Sequence, residues 1–477
     1  MQTSNNRALP AAAVVFLMIV TAYFYLSAGD RFAGQSAFVF LSGITFGVLL
    51  QRSRFCFFCI LRDLFEDGDG RPAAGLLTAL VAGGAGYLIL FGNWIPEPSG
   101  GYLPQDAHIG PVGWHLAAGG LLFGWGMALS GSCISAHLYR LGEGYSVAPI
   151  ALAGTSVGFM LGFISWNRLY VWTISEAPVV WFPDLGGYAP WAVIQTGLLL
   201  AMILWLLLRY SRPGSAAAVS TQSAARSDAS QPLPVSSGCE PTPAPAPAPT
   251  SASAPAGFTS FAASEENASD TAPSGFAGPV DTGCGDGAAP DFERSNYQSM
   301  DDPVRGYTFA HLWKLVFVSR WPTWVGGIGV GILSFLYYLR VEPLGVTAEI
   351  GRRSRDLGNH LEIIPTRLEG LDGFAGCSTA TTPDLLTSNG IFILALVAGS
   401  LFTGVLSGRF QLSNLTVTKA IKGFFGGILL GFGAMISLGC TVGTTLSGIS
   451  AFALSGWVFT AAMVMGVWTG IRLKWHH

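Results

Sequence analysis

The chain has 477 residues, of which 50% are hydrophobic and only 11% are charged, and its formal net charge is −3. A soluble domain carries about 25% charged residues, so this sequence lacks the polar side chains that would cover a water-exposed surface. The composition therefore excludes an ordinary soluble protein and indicates an integral membrane protein, and the small net charge gives no sign of a nucleic-acid partner.

A transmembrane helix needs about 20 apolar residues to cross a bilayer. Segments of that length occur in two groups along the chain. The predicted spans are 11–28, 36–51, 72–92, 114–132, 147–167 and 190–208, followed by 323–341, 390–407, 421–439 and 454–472. We interpret the first as a transmembrane helix rather than a signal peptide, because only Arg7 precedes it and no convincing cleavage site follows. The sequence thus predicts an all-α polytopic membrane protein with about ten transmembrane helices.

The two groups of spans are separated by a segment of Ala, Ser, Pro, Gly and acidic residues that includes "PTPAPAPAPT". Such a composition cannot bury a core and is typical of disorder. We therefore predict an N-terminal membrane half at 1–212, a disordered cytoplasmic linker at 213–303 and a C-terminal membrane half at 304–477. The linker cysteines, Cys239 and Cys284, are expected to be incidental.

The distribution of Lys and Arg predicts the orientation in the membrane. Basic residues occur at 51–71, after the sixth span, before the seventh, between the eighth and ninth, and after the tenth, while 93–113 and 169–189 contain none. This pattern places both termini and the linker in the cytoplasm. The exception is 342–389, which is then external although it contains Arg352, Arg353, Arg355 and Arg367.

A glycine-rich stretch that ends in a cysteine occurs once in each half, at 119–133 and at 426–440. At a constant offset of 307, Gly119, Gly120, Leu122, Gly124, Gly126, Ser130 and Cys133 match Gly426, Gly427, Leu429, Gly431, Gly433, Ser437 and Cys440. In the predicted topology the first stretch runs inward and the second outward. An inverted repeat of this kind builds transporters whose substrate site lies at the repeat interface.

The segments that follow the two cysteines, "CISAHLYRLGEG" and "CTVGTTLSG", are too short and too polar to span the bilayer. We expect short or re-entrant helices there, whose backbone N–H groups and positive dipole ends would create a site for a small anion. Two helix caps that pack together without a ligand are the alternative. The residues that we assign to this predicted pathway are Ser130, Gly131, Ser132, Cys133, Gly439, Cys440 and Thr441.

A third cysteine, Cys56, occurs in "GVLLQRSRFCFFCILRD" after the second span. We place Cys56 on the same pathway, nearer the cytoplasm. We expect Cys59, three residues later, to pack against other side chains away from the pathway. Arg52 and Arg54 are predicted to be positive-inside anchors at the membrane surface, and both are also candidates for attracting an anion to the inner mouth.

Four stretches together resemble the YeeE/YedE-type sulfur-transport family: "GVLLQRSRFCFFCILRDLF", "FGWGMALSGSCISAHLYRLGEG", "RWPTWVGGIGVGIL" and "GGILLGFGAMISLGCTVG". The resemblance covers both membrane halves but not the linker. It implies a bacterial inner-membrane importer of thiosulfate with an inverted-repeat, hourglass-like helical fold and cysteines that pass the anion along a central path.

Residue by residue, the resemblance assigns the family's motif cysteines to Cys56, Cys133 and Cys440, and its "YRxGEG" arginine to Arg140, with Glu143 beside it. Ser132 stands where the family usually has glycine, and Cys377 is an additional cysteine in the predicted outer loop. The family also includes members tied to selenium or to other sulfur compounds, so the ligand remains open.

Two other functions remain open from the sequence. A membrane sulfurtransferase would need a base beside a reactive thiol, and His137 lies one turn after Cys133. A channel for another small solute would use the cysteines only for packing. We predict a transporter rather than an enzyme, with no cofactor and no metal. Its expected partners are a small sulfur-containing anion and the lipid bilayer, and a cytoplasmic sulfur-carrier protein is a candidate partner.

Overall fold

The computed structural model describes residues 5–28, 33–210, 319–365, 367–371 and 387–475. The predicted linker and the three cysteines Cys239, Cys284 and Cys377 lie outside these ranges. The predicted boundaries between the two halves and the linker therefore remain predictions.

The described residues are helical apart from connecting turns and two isolated β-bridges, Pro111–Val179 and Trp181–Ala453. In chain order the α-helices are α1 (Asn5–Ser27), α2 (Ala33–Ser53), α3 (Phe57–Arg62), α4 (Arg71–Trp94), α5 (Trp114–Ser130), α6 (Ile134–Gly142), α7 (Val147–Leu169), α8 (Tyr188–Tyr210), α9 (Thr323–Arg340), α10 (Ala348–His360), α11 (Ser388–Leu406), α12 (Val417–Ile436) and α13 (Leu454–Arg472). Between α12 and α13 the chain forms a π-helix, Thr441–Gly448, which we call the C-terminal π-helix.

Nine helical segments within the described part of the chain are long and apolar enough to cross a membrane. They correspond to all the predicted spans except 323–341, and the all-α polytopic membrane architecture is confirmed. The remaining span forms α9, which is not among the nine. Its 18 residues include four glycines, two tyrosines and Arg340, which lower its hydropathy. Helix α9 packs against α4 and α2, so it has protein neighbours as well as any lipid contact.

The membrane helices pack mainly in pairs that join the first half of the chain to the second. Helix α4 packs on α9, α2 on α11, α7 on α12, and α5 on both α12 and α13. Glycines allow the backbones to approach closely, as is common between membrane helices. A Cβ atom at Gly119 would lie 2.9 Å from the Gly433 carbonyl oxygen, and one at Gly126 would lie 2.8 Å from that of Gly426. These contacts place α5 and α12 antiparallel.

The predicted outer loop at 342–389 contains helix α10, where two of the exceptional arginines share an ion pair with one carboxylate. Glu349 accepts hydrogen bonds from Arg352 Nη2 at 2.7 Å and from Arg353 Nε at 2.8 Å. It also accepts one at 2.6 Å from the hydroxyl of Thr387, the residue that caps α11. Burial raises the pKa of Glu349, but these hydrogen bonds outweigh it and hold the pKa below the usual value. The cluster ties α10 to α11.

Candidate functional site

At three cysteines a helix ends and a short helix begins within a few residues, and we call each of these positions a break. Each cysteine has extended backbone and occupies the N-cap position of a short helix: Cys56 before α3, Cys133 before α6 and Cys440 before the C-terminal π-helix. Two residues earlier, the backbone is left-handed in every case, at Arg54 (φ 49°), Gly131 (φ 75°) and Leu438 (φ 56°). The predicted short helices after Cys133 and Cys440 are therefore present.

This local geometry explains how one helix ends and the next begins within a few residues. A left-handed residue is a common way to end an α-helix, and glycine adopts it most readily. Each cysteine carbonyl then accepts the first hydrogen bond of the next helix, from the N–H of Ile60, His137 or Thr444. The thiols of Cys56 and Cys133 lie against N–H groups of the first turn of the helices that they precede, those of Cys59 and Ala136 respectively. A thiol is only a weak acceptor, so these first-turn N–H groups remain suited to an anion.

The two breaks of the repeated stretch also have matching serine hydrogen bonds. Ser130 Oγ donates to the Gly126 carbonyl at 2.8 Å and lies 3.0 Å from the Ser132 carbonyl. Ser437 Oγ donates to the Gly433 carbonyl at 2.7 Å and lies 3.2 Å from that of Gly439. Each serine therefore joins the last turn of a long helix to the residue just before the cysteine, and it holds the break in place.

The thiols of Cys56 and Cys133 contact each other. Both side chains are fully buried, and Cys133 Sγ lies 3.2 Å from the hydroxyl of Ser135. The sequence pairs Cys133 with Cys440, so this contact between the first two cysteines was not expected. Cys440 is 1% exposed at the start of the C-terminal π-helix.

A buried guanidinium lies at the first two breaks. Arg140 is 5% exposed, and its Nη1 donates to the Ser132 hydroxyl at 2.5 Å and to the Gly131 carbonyl at 3.3 Å. Its Nη2 donates to Cys59 Sγ at 3.2 Å, and the guanidinium lies 5.4 Å from the centre of the Tyr145 ring. The positive charge of Arg140 also acts on Cys56. The break therefore combines thiols, backbone N–H groups and a fixed positive charge.

The structure shows the surroundings of three of the predicted pathway residues. The hydroxyl of Ser132, at the position that departs from the family pattern, accepts a hydrogen bond from Arg140. Gly439 lies against Thr444, and a side chain at residue 439 would overlap the Thr444 hydroxyl. Thr441 is buried in the first turn of the C-terminal π-helix.

The two arginines before Cys56 differ in exposure. Arg54 is exposed, but Arg52 is only 1% exposed. The prediction that Arg52 is a surface anchor is therefore wrong, because the protein encloses its side chain. The left-handed conformation of Arg54 and Leu438 was also missed, since nothing in their side chains favours it.

Two further observations limit the chemistry of the site. His137 is fully buried, and neither of its ring nitrogens has a hydrogen-bond partner within the described residues, so it does not hydrogen-bond the Cys133 thiol. No group of three or more His, Cys, Asp or Glu side chains in the described ranges could hold a metal ion. The described site therefore consists of thiols, hydroxyls, backbone groups and one guanidinium.

Comparison with known proteins finds similarity to transporters of sulfur compounds. A family model described as "Sulphur transport" matches residues 52–237 and 292–469. The probable transporter YedE of Escherichia coli K12 is 30% identical over 172 residues, which is 34% of this chain and 40% of YedE. The thiosulfate transporter TsuA of the same strain is 23% identical over 451 residues, 90% of this chain and 92% of TsuA. TsuA of Spirochaeta thermophila is 33% identical over 86 residues, covering 18% of this chain and 26% of that protein.

Proposed function

This chain belongs to the sulphur transport family, and from that premise we propose that it imports thiosulfate or a related small sulfur-containing anion. The observation that carries the proposal is the set of buried cysteines at helix starts, two of which contact each other beside Arg140. The names of the relatives support a sulfur anion as the substrate. The passage of that anion along Cys56, Cys133 and Cys440 is part of the proposal.

The chemistry of thiosulfate matches the groups at the breaks. The ion has two negative charges, one soft terminal sulfur and three oxygen atoms. Backbone N–H groups and the Ser132 hydroxyl suit the oxygens, while a thiol is a weak donor that suits the sulfur. The guanidinium of Arg140 balances charge and donates charge-assisted hydrogen bonds. Weak thiol contacts also let the ion leave, which a transport path requires.

We propose that the two halves form an inverted repeat. If α2 corresponds to α9 and α4 to α11, the symmetry that relates the halves turns the packed pair α2–α11 into the packed pair α9–α4. If α5 corresponds to α12 and α7 to α13, it likewise turns the pair α5–α13 into the pair α12–α7. The antiparallel contact of α5 with α12, the matched serine hydrogen bonds and the left-handed Gly131 and Leu438 support this relation. In an inverted repeat the cysteine-tipped helices enter from opposite faces, and the substrate site lies between them.

We further propose that the protein resides in the bacterial inner membrane, with both termini and the linker in the cytoplasm and a sulfur-carrier protein as a candidate recipient of the anion. The basic residues of the sequence support this orientation. Helices α4 and α9 also run parallel, because Gly75 contacts Thr323 near both helix starts and Gly86 contacts Phe335 further along. Their starts, which the orientation places in the cytoplasm, are thus on one side.

The two alternative functions have less support. A sulfurtransferase needs a base to activate a thiol, and the His137 ring makes no hydrogen bond to the Cys133 thiol. A channel with purely structural cysteines would leave the buried charge of Arg140, which acts on Cys56, without a role in transport.

Uptake of labelled thiosulfate by proteoliposomes tests the function. We expect Cys133→Ala and Cys440→Ala to lose most uptake at unchanged protein levels, because Cys→Ala removes little volume and should cost no more than about 1–2 kcal/mol of stability. Cys→Ser keeps a donor but removes the soft sulfur, so it should also impair uptake. The matched control is Cys239→Ala, in the predicted linker, which should retain activity. Full uptake by both Cys133→Ala and Cys440→Ala would show that these cysteines only pack and do not take part in transport.

A further inference from the structure

The last turn of the C-terminal π-helix faces a group of buried oxygens that the proposed path does not use. The Tyr87 hydroxyl on α4 lies next to the hydroxyls of Ser334 on α9 and Ser447 on the π-helix. All three side chains are fully buried. The hydroxyl of Ser447 also lies 3.5 Å from the Leu344 carbonyl oxygen. We call these four oxygens the hydroxyl cluster.

The hydroxyl cluster is poorly satisfied by the protein. Within the described residues, the hydroxyls of Tyr87 and Ser334 approach each other, but neither makes a hydrogen bond of good length and angle. The contact between Ser447 and Leu344 is at the upper limit of hydrogen-bond length. A buried polar group without a partner costs about 1–3 kcal/mol. Several such groups that face one another therefore indicate a site that a ligand completes.

Unpaired acceptors continue from the hydroxyl cluster toward α8. Ser450 is fully buried, packs against Gly83 of α4, and has no hydrogen-bond partner for its hydroxyl within the described residues. Gln195 of α8 donates from its Nε2 to the Ile449 carbonyl at 2.8 Å, but its carbonyl oxygen, Oε1, is unpaired in the same residues. An amide carbonyl oxygen only accepts, so it suits a cation rather than an anion.

The local electrostatics also favour a cation. The hydroxyl cluster lies at the C-terminal, negative end of the π-helix dipole, whereas Cys440 lies at its positive end. Two acidic residues lie at the same edge of the protein. The ring of Tyr338 stacks on Tyr87 with centroids 5.0 Å apart, and Asp106 acts electrostatically on both Tyr338 and Glu342. Carboxyl groups this close to the hydroxyl cluster attract a cation.

We propose that the hydroxyl cluster binds Na⁺, with the oxygens of Tyr87, Ser334, Ser447 and Leu344 as ligands. Hard cations bind neutral and charged oxygen donors, and helix C-terminal ends serve as Na⁺ sites in membrane carriers. The cluster contains oxygen ligands only, which excludes the nitrogen- and sulfur-preferring transition metals.

The coupling of Na⁺ to transport rests on the proposed function. The thiosulfate ion enters against an inside-negative potential, which costs about 2.3 kcal/mol per charge per 100 mV. One Na⁺ that moves inward with the anion offsets the cost of one of its two charges and adds the energy of its own inward gradient. The C-terminal π-helix links the two ligands, because Cys440 begins it and Ser447 lies in its last turn. Each ligand would order the same eight-residue helix, so binding of one favours binding of the other.

The test of the Na⁺ site itself uses purified protein without thiosulfate. We expect NaCl, compared with choline chloride at equal ionic strength, to raise the midpoint of thermal unfolding with a saturable dependence on Na⁺ concentration, because a ligand stabilises the state that it binds. Tyr87→Phe and Ser334→Ala should each weaken the apparent Na⁺ affinity at least about tenfold, a loss of about 1.4 kcal/mol. Each variant should lose little stability in choline, since the hydroxyl that it removes makes no well-formed hydrogen bond within the described residues.

The matched control is Tyr338→Phe, in the neighbouring ring. Its hydroxyl donates to the Gln105 carbonyl at 2.5 Å, so its removal should lower the midpoint equally in both salts and leave the response to Na⁺ intact. A wild-type midpoint that is the same in NaCl and choline chloride, or a Na⁺ response that survives in Tyr87→Phe combined with Ser334→Ala, would overturn the site.

A second measurement separates this inference from the proposed function. Proteoliposomes take up labelled thiosulfate with an inward gradient of either NaCl or choline chloride. Uptake that is faster with Na⁺ supports coupling. Equal uptake in both salts, without Na⁺ stabilisation, leaves the thiosulfate function intact and refutes the Na⁺ site. Na⁺ stabilisation without any thiosulfate uptake supports the site and refutes the substrate.

Discussion

Arg140 is the residue on which the candidate site most depends. Its guanidinium is buried among the breaks, where it bonds the Ser132 hydroxyl, the Gly131 carbonyl and the Cys59 sulfur. A planar guanidinium satisfies several acceptors in a fixed geometry, which the single ammonium of lysine does not. In the second stretch the corresponding position, at an offset of 307, is Ser447. The two stretches therefore differ here, with a positive charge in one and a neutral hydroxyl in the other.

We predict that Arg140→Lys lowers thiosulfate uptake about tenfold and also lowers stability. The substitution keeps the charge but breaks at least one hydrogen bond to a charged donor, and such bonds are worth about 1.5–3 kcal/mol. Uptake kinetics and the unfolding midpoint provide the measurements. Arg340→Lys is the control, because the Arg340 guanidinium lies over the Phe38 ring, 5.1 Å from its centre, away from the breaks. Equal uptake by Arg140→Lys and wild type would argue against a role of Arg140 in the site.

Among the structural elements, the glycine-lined contacts of α12 determine where the break at Cys440 lies. Helix α12 packs against α5 through Gly426 and Gly433 and against α7 through Gly427 and Gly431. A Cβ atom at Gly431 would overlap the Thr155 carbonyl oxygen of α7. Because backbone rather than a flexible side chain would have to move, α12 and the cysteine at its end would shift together.

We predict that Gly431→Ala lowers the free energy of unfolding by about 1–3 kcal/mol, the usual cost of overpacking a close contact. The control is Gly197→Ala in α8, where a Cβ atom would meet nothing within 4 Å. That change should be neutral or stabilise by up to about 1 kcal/mol, because alanine favours helix. Chemical unfolding of the purified protein measures both. Similar stability changes in the two variants would mean that α12 does not depend on this close approach.

At the scale of the whole molecule, the orientation in the membrane is the principal prediction. In a variant with Cys284 and Cys377 replaced by alanine, we expect Cys239 to react with a membrane-impermeant maleimide only after the cells are permeabilised. A cysteine introduced at Ser99, which is exposed in the loop after α4, should react in intact cells. The reverse pattern would invert the topology and make the proposed import direction untenable.

Several features of the protein were determined by the sequence alone. Length and hydropathy are local properties, and a bilayer requires about 20 apolar residues per helix, so the membrane class and the positions of the spans could be read directly. The short helices after Cys133 and Cys440 were predicted for a similar reason, because the segments there are too short and polar to span. The family resemblance added Arg140, which no local pattern would have distinguished from a surface arginine.

Other features depend on which helices pack together, and only the tertiary structure decided them. Residues from separate helices meet in the contact of Cys56 with Cys133 and in the hydroxyl cluster. Neighbouring parts of the protein likewise bury Arg52. Their positions follow from close backbone contacts at glycines, where one Cβ atom would change the fit. Hydropathy does not specify such contacts, because lipid is as apolar as the helix surfaces and gives no hydrophobic preference for one partner over another.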